Sequence, residues 1–69
     1  MITIQVDNTN GRQCKVHISW HGYTHSEGWT DTNGRIDFDV SSGTGTIYVD
    51  GKEVAKEIRI EGTVRIRKP

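Results

Sequence analysis

The chain has 69 residues, an apolar content of 32%, and nine basic against nine acidic side chains, so no net charge at pH 7. That length sets one domain over residues 1–69 with a thin core, since a chain of this size buries only about 60% of its unfolded surface. A single cysteine, Cys14, excludes an internal disulfide, and no apolar run approaches the roughly 18 residues that cross a membrane. No basic segment followed by an apolar stretch marks a signal peptide, so the expectation is a cytoplasmic chain if Met1 is the native start.

In chain order, the first predicted strand is 2–6, where Ile2, Ile4 and Val6 alternate with Thr3 and Gln5. Period two means one buried and one wet face. A Thr-Asn-Gly-Arg tetrapeptide follows at 9–12, and Asn-Gly reads as a hairpin tip because both residues tolerate positive φ. The second strand, 14–20, alternates Cys14, Val16, Ile18 and Trp20 with Lys15, His17 and Ser19. Cys14 therefore reads as a buried small hydrophobe. A connection over 21–26 leads to a third strand at 27–30. The same tetrapeptide then recurs at 32–35 as a second expected hairpin tip, preceded by Asp31 as the first is by Asp7. An Asp in that place can accept hydrogen bonds from turn N–H groups. Strands at 35–40 and 45–50 follow, joined through 41–44, and Asp50-Gly51 is a further hairpin dipeptide. The segment 52–58 has some helical propensity but is too short for a stable helix, and reads as a loop or a turn of helix. Strands at 56–60 and 63–67, either side of Glu61-Gly62, close the chain.

Short strands with turn signals every eight to twelve residues point to a sandwich or small barrel. Together these strands predict an all-β fold, a small antiparallel β-sandwich of about seven strands. Its inward set is Ile4, Val6, Val16, Ile18, Trp20, Ile36, Phe38, Val40, Ile47, Val49, Ile58, Ile60, Val64 and Ile66. Charge is unevenly spread: residues 1–51 carry six acids and three bases, residues 52–69 three acids and six bases. Such a dipole can steer a partner without identifying it.

The segment 30–38, Thr-Asp-Thr-Asn-Gly-Arg-Ile-Asp-Phe, resembles the Thr-Asp-turn-Gly hairpin of carboxypeptidase-regulatory-like and collagen-adhesin B-type domains. The run from Thr46 to Asp50, then Gly51-Lys52, is similar to the strand and Gly-basic pair that follow it in those domains. The resemblance implies a prealbumin-like, Greek-key sandwich serving as an accessory or scaffold domain. The chain departs from the pattern at Gln13 and Cys14, where a proline often stands. It also lacks any Asn or Asp after Asp50 for the internal cross-link of some members.

For function, the region 21–29 stands out because it holds His21, Tyr23, His25 and Trp29 between glycines. Aromatics on a loop carried by a rigid sheet form recognition surfaces; alternatively Tyr23 and Trp29 cap a thin core. These four residues are the candidate binding set, with a protein or a glycan as partner. His17, His21 and His25 are spaced by four, but along a strand His17 and His21 stand roughly 13 Å apart. The connection could gather His21, His25 and Glu27, yet the spacing does not define a zinc site, and no metal or other cofactor is assigned. No nucleophile elbow, phosphate loop, Cys-x-x-Cys or metalloprotease motif is present, so no catalysis is expected. Two alternatives to recognition remain. One is a scaffold or homo-oligomerising domain with no small ligand. The other is weak single-stranded nucleic-acid binding on a last hairpin bearing Arg59, Arg65, Arg67 and Lys68, against which the zero net charge counts.

Overall fold

The structure, a computed structural model, describes residues 1–22 and 24–69. Among these residues the strands are β1 (Ile2–Asp7), β2 (Lys15–Trp20), β3 (His25–Trp29), β4 (Arg35–Phe38), β5 (Gly43–Val49), β6 (Lys52–Ile60) and β7 (Thr63–Arg67). They form a three-stranded sheet, β4-β1-β7, packed on a four-stranded sheet, β3-β2-β5-β6. The protein is thus an all-β sandwich, as its alternating patterns require. Every pairing is antiparallel except β1 with β7, which run parallel with Ile4 opposite Val64 and Val6 opposite Ile66.

The core lies between the sheets and follows the alternation. Ile2, Ile4 and Val6 of β1 face Val16 and Ile18 of β2 and Ile47 and Val49 of β5, with Cys14 and Ile60, all essentially solvent-free. Trp20, Ile36, Phe38, Val40, Ile58, Val64 and Ile66 close the rim. Val54 and Ala55 also pack there, although no alternation marked them. The reason is β6. The expected loop over 52–58 is instead continuous strand, with register shifts between the pairs at Gly45, Ile47 and Tyr48. One extra residue at each shift destroys the period-two pattern and imitates a helical one. Glu57 sits at the first irregularity with φ 51°, and its N–H donates to Thr46 Oγ1 at 3.2 Å.

Neither Thr-Asn-Gly-Arg copy is a hairpin tip. The first carries the chain from β1 to β2 and the second from β3 to β4, each time crossing between sheets. Asn-Gly chemistry turns the chain whether or not the flanking strands pair. The true hairpins are β2–β3 and β5–β6, the latter turning on Asp50 (φ 52°) and Gly51 (φ 83°), as that dipeptide suggested.

The two copies also differ physically. In the second, Asp31 Oδ1 accepts from the N–H groups of Asn33 and Arg35, both at 2.9 Å. Gly34 is buried at φ 83°, its carbonyl accepts from Val6 N–H at 2.7 Å, and a Cβ there would strike the Val6 carbonyl oxygen. In the first, Gly11 (φ 73°) is open to solvent, and Asp7 pairs instead with Arg65 at 2.9 Å. The left-handed backbone costs a non-glycine residue about 1–2 kcal/mol, and only Gly34 adds a backbone clash. Gly34→Ala should therefore lower unfolding free energy by well over about 2 kcal/mol, and Gly11→Ala by only about 1 kcal/mol. Denaturant unfolding of the two variants checks this, and equal effects would contradict it.

Candidate binding face

Both outer faces carry cross-strand contacts between polar side chains, and that of the four-stranded sheet also carries a groove. On the three-stranded sheet, polar side chains bond across neighbouring strands and to the turn that precedes β4. Thr3 Oγ1 donates to Asp37 Oδ1 at 2.6 Å, Gln5 Nε2 donates to the Asn33 carbonyl at 2.8 Å, and Arg65 pairs with Asp7. On the four-stranded sheet, the outer face of β2, β3 and β5 forms a shallow groove of about 370 Å³, lined by Lys15, His17, Ser19, His25, Glu27, Tyr48 and Gly51.

This groove follows from register. β2 and β3 pair with Lys15 opposite Trp29, His17 opposite Glu27, and Ser19 opposite His25; on its other side β2 sets His17 opposite Tyr48. Alternation then places all these side chains on one face. Lys15 Nζ lies 2.7 Å from Glu27 Oε1, Glu27 Oε2 lies 2.9 Å from His17 Nδ1, and His17 Nε2 lies 3.1 Å from His25 Nδ1. The His17 ring also meets Tyr48 edge-on, with centroids 5.9 Å apart.

One assignment of protons satisfies both His17 contacts with neutral rings. Carboxylate Oε2 can only accept, so His17 Nδ1 carries hydrogen; His17 Nε2 then accepts, and His25 Nδ1–H donates to it. Lys15, and then His17, hold the Glu27 carboxyl below its ordinary value through their hydrogen bonds.

The candidate residues named from sequence separate here. His25 and Trp29 are on β3 rather than in a loop, since that strand begins at His25. Trp29 is 62% exposed and is not a lid on the core. Trp20 takes that role, packing on the core while its Nε1–H donates to Ser26 Oγ at 2.8 Å. His21 stands apart, exposed, with Nδ1 3.9 Å from Glu57 Oε2. Tyr23 lies outside the described residues. Alternation puts Lys15 and His17 on a wet face without joining them to a site, because only the β2–β3 register brings them to His25. Among the described residues, no group of three or more His, Cys, Asp or Glu side chains is gathered as for a metal ion. The basic residues of 59–68 are not on one hairpin. Arg59 is on β6 in one sheet and pairs with Glu61, while Arg65 and Arg67 are on β7 in the other.

No protein family, curated protein or solved structure shows significant similarity to the chain.

A carboxyl held low in the fold stabilises the folded state above its unfolded value, and that contribution is lost as pH falls through the folded value. The stability gap between the wild type and Glu27→Gln should thus be present at neutral pH and close as pH falls below the ordinary 4.5. Parallel denaturation of the two proteins across that range checks the sign; a gap that widens on acidification contradicts it.

Proposed function

We propose that the protein is a non-catalytic recognition module that binds an extended polypeptide segment along β3, with Trp29 as the anchor. The observation that carries this reading is the exposure of Trp29 on an unguarded sheet edge. A single large ring held open to solvent on a strand is the kind of side chain on which interface energy concentrates.

The backbone supports it. Thr30 N–H donates to the Cys14 carbonyl at 2.8 Å and Trp20 N–H to the Thr24 carbonyl at 2.9 Å. Antiparallel alternation then turns the peptide groups of Ser26 and Gly28 toward β2 and those of His25, Glu27 and Trp29 toward the open edge. The residues that offer free backbone groups are therefore those whose side chains line the outer face.

The other edges carry the usual defences against strand pairing. β6 is doubly irregular and exposes Lys52, Glu53, Lys56, Glu57 and Arg59. β4 has only four residues. β7 carries Arg65 and Arg67 and is followed by Lys68 and Pro69. β3 has no proline, lysine or bulge, and its one charge, Glu27, is occupied by Lys15 and His17. Strand addition at such an edge takes affinity from backbone bonds and selectivity from side-chain pockets.

A random-peptide library selected against the protein tests the reading. Selected peptides should shift the amide resonances of His25, Glu27 and Trp29 most. Trp29→Ala should abolish binding while changing stability by less than about 0.5 kcal/mol, as expected for an exposed site. Glu27→Pro, which removes an outward N–H, should also abolish binding; Glu27→Gln, which keeps it, should not. Peptides that bind elsewhere, or that bind Trp29→Ala unchanged, would refute strand addition at β3. A dimer in light scattering that Glu27→Pro dissolves would assign the edge to self-association instead.

A further inference from the structure

We infer that His17 and His25 form a binding site for one divalent late transition ion, zinc or copper, on the outer face of the four-stranded sheet. This inference does not depend on the strand-addition reading, because it uses ring nitrogens and not the free backbone edge.

His17 Nε2 and His25 Nδ1 face each other at 3.1 Å. Two imidazole nitrogens that share an ion at about 2.0–2.1 Å stand about 2.9–3.4 Å apart for ligand angles between right-angled and tetrahedral. The pair is thus already spaced for a common ion, which would take the place of the proton between the rings. Rotation of both rings would turn the two nitrogens from each other toward the ion. The remaining positions face the open groove, where water supplies them, so two protein ligands suffice for a labile site.

The outer partner is also in place. Glu27 Oε2 accepts from His17 Nδ1 at 2.9 Å, on the side of the ring away from His25. A carboxylate on the second nitrogen fixes the ring's tautomer and orientation and raises the basicity of the ligating nitrogen. Lys15, 2.7 Å from the other Glu27 oxygen, holds that carboxylate in turn and offsets its charge. His17 needs no proton change to bind, since its Nε2 already carries a lone pair, which turns from His25 Nδ1 to the ion. His25 moves its ring hydrogen from Nδ1 to Nε2, which leaves it neutral, so binding from the neutral pair releases no net proton. The ion is soft-to-borderline and nitrogen-seeking; magnesium and calcium, which require oxygen ligands, are excluded.

Titration of the full chain with zinc ion alone, followed by histidine ring nitrogen NMR and calorimetry, tests the site. The expected result is saturable binding of one ion per chain. His17 Nε2 and His25 Nδ1 should shift together, and His25 should change tautomer. His17→Gln or His25→Gln should weaken binding at least about tenfold, Glu27→Gln by about tenfold through the outer partner alone, and His21→Ala not at all. Retained amide spectra establish that each variant is folded. Copper should bind more tightly than zinc, and magnesium should not compete. Absence of saturable zinc binding, loss of binding in His21→Ala, or full retention in either His17→Gln or His25→Gln would overturn the assignment.

Discussion

The register of β2 against β3 is the constraint on which the rest of the molecule's outer face depends. It is held at both ends. At one end, Thr30 N–H donates to the Cys14 carbonyl at 2.8 Å while the buried Thr30 hydroxyl accepts from Cys14 N–H at 2.9 Å and donates to the Asp31 carbonyl. At the other, Trp20 N–H bonds the Thr24 carbonyl and the Trp20 ring bonds Ser26. A one-residue slip would turn His25, Glu27 and Trp29 into the core and bring Ser26 and Gly28 out. At Gly28 a Cβ would stand 2.7 Å from Ile36 Cδ1, so a side chain slipped into that place would have to displace the Ile36 end. The face is therefore as well specified as the core, although it buries little.

Once that register is set, the chemistry of the face follows from residue type alone. Lysine, glutamate and two histidines fall in a line of short contacts across two strands, with Tyr48 on the third. The opposite sheet likewise joins polar side chains across strands, Thr3 to Asp37 and Asp7 to Arg65. The four-stranded sheet adds an open groove, an exposed indole and a free backbone edge, all on one side of the sandwich.

The core was legible from alternation: each residue of the inward set, from Ile4 to Ile66, is buried or packed against the buried cluster. What alternation could not reach has a physical reason in each case. β6 hid behind two irregularities that shift its side chains out of phase. The paired tetrapeptides indicated where the chain turns but not which strands pair, and both turns cross between sheets. β3 presents Ser26 and Gly28 inward, so no apolar period betrays its facing, and Trp29 could be read as core. Trp20 carries the lid instead because it continues the phase of Val16 and Ile18. His17 was visible as an outward residue, but its partnership with His25 is a diagonal contact that exists only once the β2–β3 pairing is known.

The most direct measurement is the tautomeric state of the three histidines at neutral pH, read from ring nitrogen shifts in the metal-free chain. The contact chain of Lys15, Glu27, His17 and His25 requires hydrogen on Nδ1 of both neutral His17 and neutral His25, with His17 Nε2 accepting a hydrogen bond. It requires no such bond at His21, which stands apart beside Glu57. Hydrogen on Nε2 of neutral His17, or three histidines indistinguishable from one another and from a free peptide, would contradict the register-built chain of Lys15, Glu27, His17 and His25.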